Sequence, residues 1–451
     1  MQKLTCFLCL VAFVAFVPTL SAQEDPPVTP APEAAEAEAA ALDEEAATPD
    51  PETVVASDPA EPFDVQAATR AYLDRLTPEE RQRSDSYFEG GYWLQLWGLL
   101  YGLVVAWLLL SKGLSVKMRD WAERITKRKP LQTALYATQY VILTTVLFFP
   151  LTAYQGFFRE HQYDLATQTF GPWFKERMIG MGVGVVMMSI LLMLLYGVFR
   201  KAPRTWWLWG SIVGIVFLMF AMLITPVFIA PLFNTYEQLA DEDVLDPVLS
   251  MARASGIETD RVYQFDASRQ SNRISANVSG FLGTMRISLN DNLLNRCSLG
   301  EIKSVMGHEI GHYALNHIYE IIVTFGLVLV GGFAFLRWSF DRAHKRWGAS
   351  WGVRGLGDVA GFPLFVALFS IYFFFMTPVT NTIIRTNEAE ADLYGLHTGR
   401  EPDGFAEVAL KLGEYRKLDP GPIEEWFMFD HPSGRARIEM AMRWKAEHLG
   451  E

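Results

Sequence analysis

The chain has 451 residues, 50% of them hydrophobic and 13% aromatic, and its formal net charge is −12. This length would suffice for two or three soluble domains, but so apolar a composition favours a membrane protein. Many of the acidic residues lie near the amino terminus, so the net charge does not indicate a uniformly acidic surface. We expect the lipid bilayer as a partner and no nucleic acid, and the oligomeric state is left open.

Residues 1–22 have the pattern of a secretory signal peptide. Lys3 precedes a long apolar run, which ends at the small residues Ser21 and Ala22. Residues 23–69 then contain no Lys or Arg, and their Asp and Glu are interleaved with Ala and Pro. Such a stretch cannot bury enough apolar area to offset its ordering entropy, so we predict a disordered linker there.

Six later stretches are apolar enough to cross a membrane. Crossing about 30 Å of hydrocarbon takes roughly 20 helical residues, because unpaired backbone groups are not tolerated there. The stretches are 91–111, 133–154, 178–199, 206–230, 319–336 and 360–384. Pro226 and Pro378, near the ends of the fourth and sixth, predict kinks. We therefore predict a mainly α, polytopic helical membrane protein, with four spans in residues 70–230 and two in a peptidase domain over 231–451.

Basic residues are divided unevenly between the loops. The loops after the first, third and fifth spans carry Lys112, Lys117, Arg119, Arg124, Lys127, Arg128, Lys129, Arg200, Lys201, Arg204, Arg337, Arg342, Lys345, Arg346 and Arg354. The second loop carries Arg159, Lys175 and Arg177. Because cytoplasmic loops are enriched in Lys and Arg, we place residues 231–318 and those from 385 onward outside. In a bacterium this is the periplasmic side of the inner membrane, and the cytoplasmic side is the alternative.

The main chemical motif is H-E-x-x-H at residues 308–312. Residues four apart share a helix face, so His308 and His312 can point at one ion, with Glu309 beside it. Neutral imidazoles suit Zn²⁺, and a catalytic site adds a third protein ligand and an open position for water. We predict one Zn²⁺ per chain. The alternative is a helix with three incidental histidines, His317 included.

A third ligand is predicted from the segment N-T-I-I-R-T-N-E-A-E-A-D, which ends at Asp392. Glu388 and Asp392 are four residues apart, so one can bind the metal while the other orients a ligand imidazole. Glu390 points elsewhere on the same helix. Without the histidine pair, a solvated acidic helix start would be an equal alternative.

Two further segments offer substrate contacts. The run D-H-P-S-G-R-A-R places His431 and Arg437 where they could donate to the oxyanion of a tetrahedral intermediate. A His before Pro is otherwise a capping or turn residue. Residues 273–289 predict a strand, a turn containing glycine and a second strand. An exposed edge there could hold an extended peptide by strand addition, or the hairpin could be structural sheet alone.

Together these motifs resemble the CAAX prenyl protease type 1 family of integral-membrane zinc metalloproteases. The family pairs H-E-x-x-H with R-x-x-E-x-x-A-D, here Arg385 to Asp392, and with a late His-Pro followed by Arg. Residues 229–234 and 159–169 are similar to two other family segments, so the similarity covers about 130–445. The resemblance implies membrane helices that enclose a water-filled chamber, with a zincin-type catalytic helix on its wall.

The resemblance also implies roles for seven residues: the zinc ligands His308, His312 and Glu388, the general base and acid Glu309, Asp392 behind a ligand, and the transition-state stabilisers His431 and Arg437. The chain departs from the family pattern at three points. Ser275, Ala276 and Asn277 stand where members commonly have Asn-Ala-Tyr. Six spans are predicted instead of seven, and the basic loops place the site outside the cytosol.

These residues predict a zinc-dependent membrane endopeptidase that hydrolyses membrane-associated or exported proteins. A catalytically silent, metal-binding scaffold or chaperone is the alternative, and the intact Glu309 argues against it because a structural site does not need that carboxylate. A transporter or channel is disfavoured, since no ionisable residue lies in the middle of a predicted span.

Overall fold

The computed structural model describes residues 63–280 and 285–449. The predicted signal peptide, residues 1–22, lies outside the described residues. The described helices and strands are, in chain order, α1 (Val65–Leu73), α2 (Pro78–Ser111), α3 (Leu114–Ile125), α4 (Lys129–Ala153), α5 (Arg159–Gln162), α6 (Phe170–Lys201), α7 (Trp206–Ile224), β1 (Tyr236–Gln238), α8 (Glu242–Ala254), β2 (Val262–Phe265), β3 (Ala276–Ser279), β4 (Arg286–Asn290), α9 (Asp291–Arg296), α10 (Leu299–Ala314), α11 (His317–Trp351), α12 (Phe362–Gly399), α13 (Pro402–Leu412), α14 (Pro422–Met428) and α15 (Gly434–Glu447).

The predicted linker, residues 23–69, is wrong at its end, because helix α1 begins at Val65. Asp64 caps this helix, and Leu73 is buried against α12, α13 and α15. The Tyr72 hydroxyl donates to Asp403 at 2.8 Å. Composition alone does not reveal α1, because the helix gains its burial from distant parts of the chain. The rest of the predicted linker lies outside the described residues.

Six helices in the described part of the chain are long and apolar enough to cross a membrane, which confirms the six predicted spans. They are Pro78–Ser111, Lys129–Gln162, Phe170–Lys201, Trp206–Leu232, His317–Trp351 and Val359–Gly399. Each predicted span lies within one of them. Pro226 lies in a π-helical turn that continues α7, and Pro378 lies within α12, which is helical on both sides of it; the two kinks stay predictions.

The loops at one end of the helix bundle are held together by ion pairs. Arg119 donates to Asp358 at 2.6 Å, and Arg354 donates to Glu123 at 2.9 Å. We name this region the basic end: residues 112–128, 202–205 and 352–358. Arg337 also donates to the carbonyl oxygen of Arg204, and Arg200 to that of Gly357, at 3.1 and 3.2 Å. These contacts show that the three loops share one side of the bundle. Which side of the membrane that is stays a prediction.

A four-stranded sheet lies at the opposite end, which we name the sheet end. Its strand order is β1-β2-β4-β3, with β2 and β4 parallel and the other pairs antiparallel. β3 and β4 confirm the predicted strand pair, and β3 is an edge strand. Helices α8, α9 and α10 cover the sheet, burying Val248, Leu293 and Ile310 with Ile287 and Leu289. The mainly α membrane fold with a small sheet is therefore confirmed.

Candidate active site

Helix α10 carries the H-E-x-x-H motif and begins at a capping box. The Ser298 side chain accepts a hydrogen bond from the Glu301 N–H, and the Glu301 carboxylate accepts one from the Ser298 N–H at 2.7 Å. The buried face of α10 packs Met306 and Ile310 against the sheet. α10 is thus fixed at its start and along one face.

Helix α10 crosses α12 at a pair of glycines. A Cβ atom on Gly307 would lie 2.9 Å from the carbonyl oxygen of Gly395, and one on Gly395 would lie 2.8 Å from the backbone nitrogen of His308. Larger residues at this crossing would force the helices apart. Because the helices run antiparallel, the crossing brings His312 opposite Glu388, two turns before Gly395.

The crossing brings three predicted ligand atoms together. The Nε2 atom of His308 lies 3.1 Å from Nε2 of His312 and 3.2 Å from Oε2 of Glu388. The Nε2 atom of His312 lies 3.5 Å from Oε1 of Glu388. Ligands at 2.0–2.1 Å around a tetrahedral Zn²⁺ would be about 3.3 Å apart. The distances between the two Nε2 atoms and from them to the Glu388 carboxylate therefore fit an ion of that size.

On the buried side of the site, His308 is held by a carboxylate and an arginine. Its Nδ1 atom lies 2.7 Å from Oδ1 of Asp392, which leaves Nε2 facing the other ligands. Arg437 donates from Nε and Nη2 to the two oxygens of Asp392, at 2.9 and 2.5 Å. These contacts favour a positioning role for Arg437 over the predicted transition-state role, because its donors are directed at Asp392.

On the other side, His312 is held by a second histidine. Its Nδ1 atom lies 2.9 Å from Nδ1 of His317, and Nε2 of His317 lies 3.2 Å from Oε2 of Glu390. From the sequence, neither partner was assigned a role: His317 entered only as an incidental histidine, and Glu390 was expected to point elsewhere. The spacing signal was weak, since His317 lies five residues after His312 and beyond the end of α10.

The surrounding protein groups shift the pKa values of the two motif histidines in opposite directions. Burial acts to lower the pKa of His308, but its interactions with Asp392 and Glu388 outweigh burial and raise this pKa to about 9. For His312, burial lowers the pKa and outweighs the attraction of Glu388. A cation must therefore displace a proton from His308 at neutral pH, so metal binding is coupled to proton release.

Glu309 is less buried than His308, and its side chain makes fewer polar contacts than those of the two motif histidines. Glu309 is only partly buried, whereas His308 is 7% exposed. Within residues 63–280 and 285–449, no hydrogen bond or ion pair engages its carboxylate. A carboxylate free in this way, next to three converging ligands, is suited to accept a proton from water.

His431 reaches the site from the loop between α14 and α15. Its Nε2 atom lies 3.1 Å from Oε2 of Glu388, and its Nδ1 atom lies 2.7 Å from Oδ1 of Asp430. Burial acts to lower the pKa of His431, but the negative charges of Glu388 and Asp430 outweigh burial and raise it. Asp430 is a site residue that sequence reasoning missed, although it directly precedes His431.

The loop that carries His431 is held by α12. The Arg385 guanidinium donates to the carbonyl oxygens of Glu425 and Phe429, at 3.0 and 2.5 Å, and Asn381 donates to the carbonyl of Phe427 at 3.0 Å. These carbonyls belong to the last turn of α14 and the residue after it, where helix ends leave carbonyl groups without helical partners; that of Glu425 also accepts from the Phe429 N–H at 3.2 Å. Arg385 therefore acts on the loop, one turn before Glu388.

Two orphaned polar atoms lie at the centre of the site. Oε2 of Glu388 and Nε2 of His431 are buried, and neither is aligned for a hydrogen bond with any group in the described chain. A metal ion on Glu388 and a substrate oxygen near His431 would satisfy them.

The chain matches two family models in succession. Residues 65–235 match the amino-terminal region of CAAX prenyl proteases, described as five membrane helices, and residues 238–445 match peptidase family M48. Four of the six candidate spans lie within the first match. The matched region begins at residue 65, earlier than residue 130, where the resemblance was expected to start.

Similar proteins come from bacteria and eukaryotes. "Uncharacterized metalloprotease YhfN" of Bacillus subtilis is 28% identical over 368 residues, which are 81% of this chain and 86% of the relative. "CAAX prenyl protease 1" of Saccharomyces cerevisiae is 28% identical over 312 residues, 66% of this chain and 69% of the relative. The crystal structure of S. mikatae Ste24p matches with a TM-score of 0.70 and 22% identity, covering 84% of this chain and 94% of that one, which shows a shared fold.

Proposed function

The chain belongs to the M48 family of membrane metalloendopeptidases, and from this premise we propose that it uses one Zn²⁺ held by His308, His312 and Glu388. The observation that carries the proposal is the convergence of two imidazole Nε2 atoms, 3.1 Å apart, on the carboxylate of Glu388, whose oxygens lie 3.2 Å from His308 and 3.5 Å from His312. The Nδ1 atoms of both histidines contact other groups, so both Nε2 atoms are left for the metal. Two imidazoles and one carboxylate are a donor set that suits catalytic zinc.

The reaction is peptide hydrolysis by an activated water. A bound Zn²⁺ supplies a Lewis acid that polarises the scissile carbonyl and lowers the pKa of water toward about 7. Glu309 takes a proton from the attacking water and passes it to the leaving amine. His431, held by Asp430, donates a hydrogen bond to the oxygen on which negative charge develops. Asp392 and Arg437 hold the His308 ring in position.

The edge strand β3 is our candidate for the substrate-binding strand. It lies against α10, the helix that carries Glu309. An extended peptide that pairs with β3 would run past the metal ligands, with its main chain held by hydrogen bonds. Asn277 lies within β3, where the chain departs from the family pattern.

Replacing Glu309 with Gln tests the mechanism. We expect the Glu309→Gln variant to retain zinc and to lose cleavage of a quenched peptide in detergent, because the amide cannot accept the water proton. His308→Ala is the comparison, since it should lose both zinc and cleavage. Undiminished cleavage by Glu309→Gln would refute the role of Glu309. Zinc binding without cleavage by the unaltered protein would instead favour a silent scaffold.

We place the site on the periplasmic side of a bacterial inner membrane, with membrane-associated or exported proteins as substrates. The support is that the loops richest in Lys and Arg cluster at the basic end, away from the metal ligands. A periplasmic site would not meet prenylated cytosolic proteins, so prenylated substrates are not part of the proposal. The proposed amino-terminal signal peptide is consistent with this orientation.

Single cysteines at the two ends test this orientation. Asp246 and Lys127 are at the sheet end and the basic end respectively, and each is at least partly exposed. Each is replaced by Cys after Cys6, Cys9 and Cys297 have been removed. We expect a membrane-impermeant reagent to label Asp246→Cys, but not Lys127→Cys, in intact spheroplasts. The opposite labelling pattern would place the active site in the cytoplasm.

A further inference from the structure

His317 is the first residue of α11 and lies next to the last turn of α10. Asn316, between the two helices, has a left-handed backbone with φ of 61°, a conformation that Asn tolerates better than most residues. This turn folds His317 back onto His312, so that the ring centroids lie 5.1 Å apart with their planes at 69°. The side chain of His317 is only 2% exposed. The chain thus buries a second imidazole directly against a metal ligand.

The distance between the two rings determines where their protons lie. The Nδ1 atoms of His312 and His317 are 2.9 Å apart, so one of them donates and the other accepts. If Nε2 of His312 binds the metal, its only N–H group is at Nδ1. Nδ1 of His317 must then accept, and its own proton lies on Nε2, which is 3.2 Å from the Glu390 carboxylate.

We propose that His317 is a positioning residue, which together with Glu390 forms a relay that orients His312 toward the metal. The relay rests on the proposed function, because it needs His312 as a ligand. A carboxylate that accepts directly from a ligand imidazole fixes the ring and raises its basicity. Here a neutral imidazole stands between the ligand and the carboxylate, so Glu390 acts through His317.

A second cation site is the rival explanation for the same cluster. His317, Glu320 and Glu390 could hold an ion, since their ligand atoms lie within 4.8 Å of one another. An ion on Nε2 of His317 would, however, move the His317 proton to Nδ1. Two N–H groups, one from each histidine, would then face each other across 2.9 Å. Binding zinc at His312 and a second ion at His317 are therefore in conflict, which favours the relay.

The relay and the second cation site differ in whether they need Glu320. The relay does not involve this residue, whereas a second cation site needs its carboxylate. Glu320→Gln is therefore the matched control for Glu390→Gln, since both changes remove one exposed carboxylate from a neighbouring position.

The test measures zinc affinity and zinc content on the full chain in detergent, by competition with a chelator. We expect His317→Ala to bind zinc roughly 10–100-fold more weakly. His317→Gln should recover part of this loss, because its amide oxygen can accept from Nδ1 of His312. Glu390→Gln should show a smaller loss, Glu320→Gln should match the unaltered protein, and every variant should bind at most one zinc per chain.

Three outcomes would overturn the relay. Unchanged zinc affinity in both His317→Ala and His317→Gln would show that His317 does not position His312, and would leave the proposed function intact. Two zinc ions per unaltered chain, reduced to one in Glu320→Gln, would establish the second cation site. Absence of zinc from the unaltered protein would remove the proposed function and the relay together.

Discussion

The two histidines of the motif are supported in different ways. Behind His308 lies Asp392, which is 0% exposed and is itself held by Arg437. Behind His312 lies the imidazole of His317, and the carboxylate beyond it, Glu390, has a side chain that is 55% exposed. Charges act strongly on one another when buried and are screened by water when exposed. We therefore expect the buried carboxylate behind His308 to affect zinc binding more than the exposed carboxylate beyond His312.

A change that separates α10 from α12 should have the largest effect, because it disturbs both sides at once. A Cβ atom in Gly395→Ala would lie 2.8 Å from the backbone nitrogen of His308, so the helices must move apart. We expect stability to fall by about 1–3 kcal/mol and stoichiometric zinc binding to be lost. Thermal unfolding and zinc content measure the two effects.

Gly399→Ala is the matched control for this change. Gly399 lies one turn further along α12, where an added Cβ atom would lie 3.4 Å from the Lys303 carbonyl oxygen, an ordinary contact. We expect this variant to bind zinc normally, since Ala also favours a helix more than Gly does. Equal zinc content in the two variants would contradict the idea that close approach of the helices assembles the site.

Neutralising the buried carboxylate should have the next largest effect on zinc binding. Asp392→Asn leaves Arg437 buried without a charged partner, a change that costs roughly 3–5 kcal/mol. It also removes the acceptor behind His308, so we expect zinc affinity to fall roughly 10–100-fold. Asp403→Asn is the control, because Asp403 pairs with Lys445 at the surface, where such pairs contribute about 1 kcal/mol or less. If Asp392→Asn weakened zinc binding less than Glu390→Gln does, the comparison of the two sides would be reversed.

A change in the loop that carries His431 should have the smallest effect on zinc. Arg385→Gln removes donors from the carbonyls of Glu425 and Phe429 while leaving the three ligands in place. We expect kcat to fall roughly 10–100-fold, with zinc affinity within about twofold of the unaltered protein, because the loop positions only the oxyanion donor. A large loss of zinc in this variant would show that Arg385 supports Glu388 itself.

The sequence predicted the features that depend on local spacing. His308 and His312 share a face because helices repeat every 3.6 residues, and the six spans are recognised by their apolar length. Glu388 could be proposed from its distance to Asp392 in the same way. The contact of His317 with His312 could not be predicted, because it depends on one backbone conformation, the left-handed turn at Asn316.

Contacts between distant segments likewise could not be predicted from the sequence. The donors of Arg437 are directed at Asp392, 45 positions earlier in the chain, and no periodic pattern links the two. Asp430 was overlooked for a different reason, since an acidic residue before a His is unremarkable until the ring is seen to be buried. The burial of α1 also depends on partners more than 300 positions away, such as Asp403.

The length of α12 sets the height of the metal ligands above the membrane. Glu388 lies 26 positions after Phe362, which corresponds to about 39 Å of helix, whereas the hydrocarbon layer is about 30 Å thick. If Phe362 marks the hydrocarbon boundary at the basic end and α12 runs along the membrane normal, the ligands would lie roughly 10 Å beyond the opposite boundary. A bond within an intact transmembrane segment would not reach that height. Juxtamembrane and fully extramembrane peptide bonds would.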